Sequence, residues 1–274
     1  KIEVVPVVSN NSISAAQTIC EGDVPAAITG TAPAGGNGTF TYLWQSSTDG
    51  SSFTAAAGVN NEEEYTAPVA LTKSTWYRRV VMSGPCQQDI SAAVKVTVQP
   101  AITGNTLTSG DQTICAGATP ASISGTAPKG GNNTYTYAWE ISTDGTSYTD
   151  APGTRTNAAY QPQALNQTTW FRRKVTSGSC ESYSAAIKVT VNATIDANEI
   201  SESQNICTDT APMPLKGSQP TGGTGSYTYR WEYSTTGANA TDYRAVAANG
   251  TGKDYAPGIL NTTTWYRRVV TSGA

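Results

Sequence analysis

Apolar and polar residues alternate along this chain in short runs, without the three-to-four spacing of an amphipathic helix. Thr, Val, Tyr and Trp fill the runs, and Gly, Pro, Asn and Asp bound them, which predicts an all-β protein. In the middle of the chain the pattern predicts strands over Leu107–Cys115, Ala121–Thr126, Thr134–Ser142, Ser147–Thr149, Ala159–Gln161, Thr168–Ser177 and Ser184–Val191. Asp49-Gly50 and Asp144-Gly145 follow Trp-bearing strands as hairpin signals, because Gly accepts a positive φ there. Thr236-Gly237 takes that part further on.

The runs recur. Ile19-Cys20, Ile114-Cys115 and Ile206-Cys207 each open a unit, 95 and then 92 residues apart. Each unit carries a Pro-x-Gly-Gly stretch, a Tyr-x-Trp strand and an aromatic-Arg-Arg strand. A repeat of this period means an array of whole domains. About seven short strands in some 95 residues predict tandem immunoglobulin-like Greek-key β-sandwiches. The array is cut out of register. Residues 1–8 read as the last strand of a preceding unit, since Lys1-Ile2-Glu3-Val4-Val5 matches Val94–Val98 and Ile187–Val191. Units then span 9–99, 100–193 and 194–274, the third without its final strand. The expectation is a portion of a longer chain. The alternative is strand exchange, with residues 1–8 completing the third unit of a neighbouring molecule.

Comparing the units sorts the faces of each strand. Leu43 becomes Ala138 and Arg230, so that position faces solvent, and Tyr42, Trp44, Tyr137, Trp139, Tyr229 and Trp231 face the cores. The same logic puts Val81, Val175 and Val270 inside, with Tyr77, Phe171 and Tyr266. It puts Arg78, Arg172 and Arg267 outside, near Gln45, Glu140 and Glu232. Arg79, Arg173 and Arg268 then point inward, where a guanidinium must be paired or stacked, unless a bulge turns them out.

Composition narrows the function. The net charge is −3, and Lys and Arg form no basic run, so nothing draws the chain to nucleic acid or anionic lipid. No apolar stretch reaches the ~20 residues of a membrane span. No signal peptide precedes Lys1, so such segments lie outside this window or have been removed. With 0 histidines, His-based acid–base catalysis, Ser-His or Cys-His nucleophiles and His-ligated metals are excluded. The five cysteines never approach Cys-x-x-Cys spacing. Neither an enzyme nor a cofactor or metal is expected.

The cysteines follow the repeat. Cys20 and Cys86 lie 66 residues apart, and Cys115 and Cys180 lie 65 apart, at the same landmarks of their units. This predicts disulfides Cys20–Cys86 and Cys115–Cys180, with the partner of Cys207 just outside the window. Reduced, buried cysteines are the alternative. Bridges imply an oxidising, extracellular setting.

Other motifs have bland readings beside sharp ones. Pro33–Gly36, Pro128–Gly131 and Pro220–Gly223 are Gly-rich, but a strand follows each rather than the helix a phosphate loop needs. They read as loops between strands. Glu62-Glu63-Glu64 occurs in one unit only and reads as a solvated loop. The best candidate ligand surface is an outer strip of Trp76 and Arg78, Trp170 and Arg172, and Trp265 and Arg267, which could stack on carbohydrate. Its alternative is Trp covered by neighbouring strands. Asn37-Gly38-Thr39 and Asn261-Thr262-Thr263 are glycosylation sequons of a kind that Thr-rich chains produce by chance.

Ile-Cys-x-Gly, Gly-Thr-Ala-Pro-x-Gly-Gly, Tyr-x-Trp-x-x-Ser-Thr-Asp-Gly and Thr-Thr-Trp-Tyr-Arg-Arg-x-Val-x-Ser-Gly-x-Cys together resemble the Ig-like repeats of giant Bacteroidetes surface adhesins, including SprB-like gliding-motility adhesins. The resemblance covers practically the whole chain. It implies export by type IX secretion, display on the outer cell surface and a filament of many tandem domains. The implied partners are neighbouring repeats and surface polysaccharide or other surface proteins. Asp209-Thr210-Ala211 resembles the O-glycosylation motif of that phylum, which makes Thr210 a candidate site. Unit three has Thr208-Asp209 where Gly22 and Gly117 follow the cysteine elsewhere, so its opening loop is expected to differ. The functional expectation is a stiff stalk segment of such an adhesin, with a carbohydrate-binding module as the alternative.

Overall fold

The structure, a computed structural model, describes residues 1–239 and 241–273, so the Ala274 end of the third unit lies outside the described residues. It is all-β and built from three similar units. The first holds β1 (Gln17–Cys20), β2 (Thr41–Ser47), β3 (Thr54–Ala55), β4 (Thr75–Met82), β5 (Asp89–Ile90) and β6 (Val94–Gln99). The second holds β7 (Gln112–Cys115), β8 (Thr136–Ser142), β9 (Thr149–Asp150), β10 (Thr169–Ser177), β11 (Cys180–Tyr183) and β12 (Ile187–Asp196). The third holds β13 (Thr221–Gly223), β14 (Thr228–Ser234), β15 (Arg244–Ala245) and β16 (Trp265–Thr271).

The first sheet runs β1-β6-β4-β2-β3, with β5 on β4. The second repeats that order as β7-β12-β10-β8-β9, with β11 on β10. The long central pair is antiparallel, and its register sets Trp44 opposite Arg79, Trp139 opposite Arg173 and Trp231 opposite Arg268. The closing strands β6 and β12 run parallel to the opening strands β1 and β7. That direction decides where the cysteines go.

A second layer covers each sheet through single bridges, such as Ile28↔Tyr65, Ile123↔Tyr160 and Leu215↔Tyr255. Here the expected strands Ala121–Thr126 and Ala159–Gln161 shrink to one or two bridged residues. Hydroxyls replace the ladder: Thr126 Oγ1 donates to the Gly104 carbonyl, and Ser122 Oγ donates to Tyr160 O at 3.2 Å. Between the layers lie Ile28, Trp44, Tyr65, Tyr77 and Val96 in the first unit and Ile123, Trp139, Tyr160, Phe171 and Val189 in the second. In the third unit Trp231 is fully buried and stacks on Tyr255 at 5.7 Å. Losing any one of these Trp rings costs about 3–5 kcal/mol.

The N-terminal end differs from expectation. Residues 1–7 form no strand, and the apolar side chains of Ile2 and Val4 are 93% and 89% exposed, because no sheet of a preceding unit lies beside them here. In the third unit no described strand occupies the place of β6 and β12. A trench of about 520 Å³ runs there between Ile200–Thr208 and Leu260–Tyr266. Its opening loop does not differ. Asp209 takes a left-handed φ of 61°, as Gly22 (92°) and Gly117 (80°) do, and its N–H reaches Leu260 O where theirs reach Leu71 O and Leu165 O.

Candidate functional site: the joint between repeats

The predicted disulfides are not those of the structure. Cys20 bonds Cys180 of the next unit across 160 residues, with Cα atoms 4.9 Å apart, and Cys86 and Cys115 are free. Strand direction is the reason. Because β1 runs parallel to β6, Cys20 pairs in register with Gln99, where the chain leaves the first unit. Cys86 follows β4 at the opposite end, where the chain enters beside Pro6. The two levels are roughly 30 Å apart along the strands, far beyond the ~7 Å that a disulfide spans. Equal landmarks in sequence thus marked equal joints, not partners within a unit.

Around this bond the second unit grips the first. Past β10 the chain turns at Gly178, and the Ser179 N–H donates to Gln99 Oε1 at 2.8 Å. Ser179 Oγ donates to Thr18 O at 2.9 Å. Within the first unit the Glu21 N–H reaches Gln99 O at 2.8 Å and fixes that side of the joint. The Pro-x-Gly-Gly loop is the seat of the connecting segment. The Gly131 N–H donates to Pro100 O at 2.7 Å, and a Cβ on Gly130 would overlap the Ala101 carbonyl. The previous joint repeats this: the Gly36 N–H donates to Pro6 O at 2.8 Å, and a Cβ on Gly35 would overlap the Val7 carbonyl. At the third joint Gly222 closes on the Thr194 carbonyl. There the segment that joins the second and third units is largely strand, since β12 runs to Asp196 and pairs with β13 of the third unit. The amides a phosphate cradle would offer are therefore engaged by the chain itself.

Inside each unit the inward arginine is a hub. Arg79 is fully buried, donating from Nε to Asn11 Oδ1 (2.9 Å), from Nη1 to Glu63 O (3.1 Å) and from Nη2 to Thr31 O (2.7 Å). Arg173 repeats this with Asn105, Ala158 and Thr126, and Arg268 with Asn198 and Lys253. The Tyr42, Tyr137 and Tyr229 rings lie 5.2–5.3 Å from the guanidinium carbons. Burial lowers the pKa of Arg79 and Arg173 from the usual value, and these tyrosines oppose the shift in Arg79 and Arg173. A Cβ on Gly30, Gly125 or Gly217 would strike the guanidinium, which accounts for the glycine before Thr-Ala-Pro in the first two units. Sequence reasoning missed Asn11, Asn105 and Asn198, although they recur at steps of 94 and 93.

The expected ligand strip lies on one outer face of each unit. Arg78 Nε donates to Gln45 Oε1 at 2.8 Å, and Arg172 and Arg267 reach Glu140 and Glu232 at 2.7 Å. Their flat faces rest on Phe53, Tyr148 and Tyr243, 3.9–4.1 Å from the ring centres. Trp76 and Trp170 sit between the Gly50 or Gly145 turn and the amine of Lys95 (4.6 Å) or Lys188 (5.2 Å). Trp265 lines the trench of the third unit. The turns beside them are held by Asp49 and Asp144, whose carboxylates accept two backbone N–H bonds each, and those bonds hold both acids far below the usual carboxylate range. Thr210 is exposed, with its hydroxyl turned to Cys207 O. Among the described residues no His/Cys/Asp/Glu group is arranged to hold a metal ion.

A family model described as Domain of unknown function (DUF8696) matches residues 9–100, 104–193 and 196–274. The chain belongs to this family. Its three DUF8696 repeats coincide with the three structural units. No curated protein sequence matches the chain. Among solved structures it is similar to chicken CNTN1 FN1–FN3 domains, at 12% identity over 97% of this chain and 93% of that one, with a TM-score of 0.32. Domains A168–A170 of titin give 12% identity, 97% and 92% coverage and a TM-score of 0.36. The fibronectin(III)-like modules of Clostridium thermocellum CbhA give 11%, 68% and 95%, and 0.35. At these scores the likeness carries no argument about function.

Proposed function

We propose that the DUF8696 repeats form a structural stalk segment of a secreted cell-surface adhesin, which gives reach and stiffness for adhesion or gliding. The observation that carries this reading is the Cys20–Cys180 bond, which ties two successive repeats rather than closing one. Such a bond needs an oxidising compartment, which fits an extracellular protein. The joint's hydrogen bonds and the pairing of β12 with β13 across the next junction act in the same direction, against bending. Resemblance to Bacteroidetes adhesin repeats supports display on the bacterial outer surface after type IX secretion. The side chains that would form a carbohydrate strip are engaged with their own repeat, which favours the stalk over the binding module. Small-angle X-ray scattering tests the reading. Three repeats end to end give a maximum dimension of roughly 100–120 Å. A value near that of one compact globule, or one that grows when the disulfide is reduced, would count against a stiff stalk.

A further inference from the structure

Two of the three free cysteines, Cys115 and Cys86, sit at joints built like the one that is bonded. Cys115 ends β7 in register with Asn192, as Cys20 ends β1 in register with Gln99. The hairpin of the third repeat returns to that place: a Cβ on Gly273 would lie 3.6 Å from the Asn192 amide nitrogen, as one on Gly178 would meet the Gln99 amide. Thr271-Ser272-Gly273 aligns with Thr176-Ser177-Gly178, which runs on to Cys180. At the other end Cys86 Sγ lies 3.5 Å from Pro6 O, as Cys180 Sγ lies 3.4 Å from Pro100 O. Cys207 opens the third repeat as Cys20 and Cys115 open theirs, and it is exposed.

We propose that Cys20–Cys180 is one rung of a disulfide ladder, in which the opening cysteine of each repeat bonds the hairpin cysteine of the repeat after it. Cys115 and Cys207 are then donors to following repeats of the same polypeptide, and Cys86 receives the opening cysteine of a preceding one. Each rung joins two thiols into one S–S bond and releases two protons and two electrons. An oxidised protein disulfide donor of the exporting compartment accepts the electrons and becomes a dithiol.

The ladder changes how far the chain can be drawn out. From Cys20 to Cys207 the backbone holds 187 residues, but the shortest covalent path crosses the rung to Cys180 and then follows 27 residues to Cys207. The fully drawn path between those two cysteines is then about sevenfold shorter than the backbone alone allows.

The test extends the full chain beyond Ala274 by a copy of residues 180–193, oxidises it, and maps its disulfides without reduction. The expected map contains Cys20–Cys180, with Cys115 bonded to the added cysteine and Cys207 alkylated as a free thiol. In Cys115→Ser the added cysteine becomes free. A bond between Cys207 and the added cysteine overturns the ladder, as does loss of the Cys20–Cys180 bond or an added cysteine that stays free. The ladder rests on the same Cys20–Cys180 bond as the stalk, so loss of that bond counts against both, whereas a free or misplaced added cysteine overturns the ladder alone and scattering reads the stiffness separately.

Discussion

Asn11 and Arg79 hold each other across the first repeat. The Arg79 Nε–H donates to Asn11 Oδ1 at 2.9 Å, and the Asn11 amide donates to the carbonyls of Arg79 and Asp89 at 3.1 and 2.9 Å. A guanidinium is thereby tolerated in a core beside Trp44, because most of its donors meet an oxygen. Asn105→Leu in the second repeat breaks the equivalent pair with Arg173 and leaves a buried donor unpaired. The expected loss is about 3 kcal/mol. Asn105→Asp keeps an acceptor for Arg173 and adds an opposite charge, but it removes the donors to Arg173 O and Ser182 O, so it recovers only part of that stability. Urea unfolding of both variants checks this, and equal midpoints for wild type and Asn105→Leu would refute the hub.

Gly130→Ala tests the joint. Its φ of 95° strains any L side chain, and the new methyl would overlap the Ala101 carbonyl. The second repeat should keep its fold, since Gly130 lies outside its strands. The Gly131 amide, which donates to Pro100 O, should exchange with solvent about tenfold faster, as a loss of about 1.4 kcal/mol would give. Hydrogen exchange at that amide and at a core amide such as Trp139 separates loosening of the joint from unfolding.

Trp170→Ala separates packing from ligand binding. The ring lies against the Gly145 turn and the Lys188 amine and is half-buried. Its loss should cost about 2 kcal/mol, less than for a fully buried Trp. Glycan-array binding should not change. Binding that is present in wild type and vanishes in the variant would revive the carbohydrate strip.

Most of the fold was legible because the repeat supplies its own comparison. Leu43, Ala138 and Arg230 at one position identify an outer face without a structure, and register then follows for Trp44 and Arg79. The disulfides were not legible in the same way. Repetition shows that Cys20 and Cys115 are equivalent, but which cysteine each meets depends on whether β1 runs with β6 or against it. Alternation is blind to strand direction. The second layer was over-predicted for a related reason: Thr126 and Ser122 have strand-like side chains, but their hydroxyls take backbone partners that a ladder would use. The Asn11–Arg79 pair spans 68 residues, and no local pattern announces it.

Stability should fall at both extremes of pH. Desolvation raises Tyr77 and Tyr266 to about 12 from an unfolded value near 10.0. The folded chain therefore binds more protons than the unfolded one in that window. The stability from these neutral phenols is complete below pH 10 and is lost as pH rises towards 12. Asp254 behaves oppositely. The Gly217 N–H and then Lys216 hold its carboxylate at about 2, so its contribution is present above about 3.8 and fades as pH falls to 2. Urea midpoints measured against pH should show both limbs. Tyr77→Phe should flatten the alkaline limb of the first repeat and leave the acid limb unchanged.

Force should read the inter-repeat bond directly. In the oxidised chain, residues between Cys20 and Cys180 lie in a closed loop of 160 residues, outside the covalent path between the ends. Pulling the ends can unfold the third repeat, but it cannot extend the looped parts of the first two. Reduction adds those residues to the path, and at ~3.4 Å each the fully drawn chain lengthens by about 540 Å. Bridges within repeats would hide only 66 and 65 residues in separate loops, a smaller total gain divided between two unfolding events. In the bridged joint the gain instead requires breaking one bond, and it should vanish in Cys20→Ser, which starts at the reduced length. Equal contour lengths with and without reductant would show that the joint is not covalently closed.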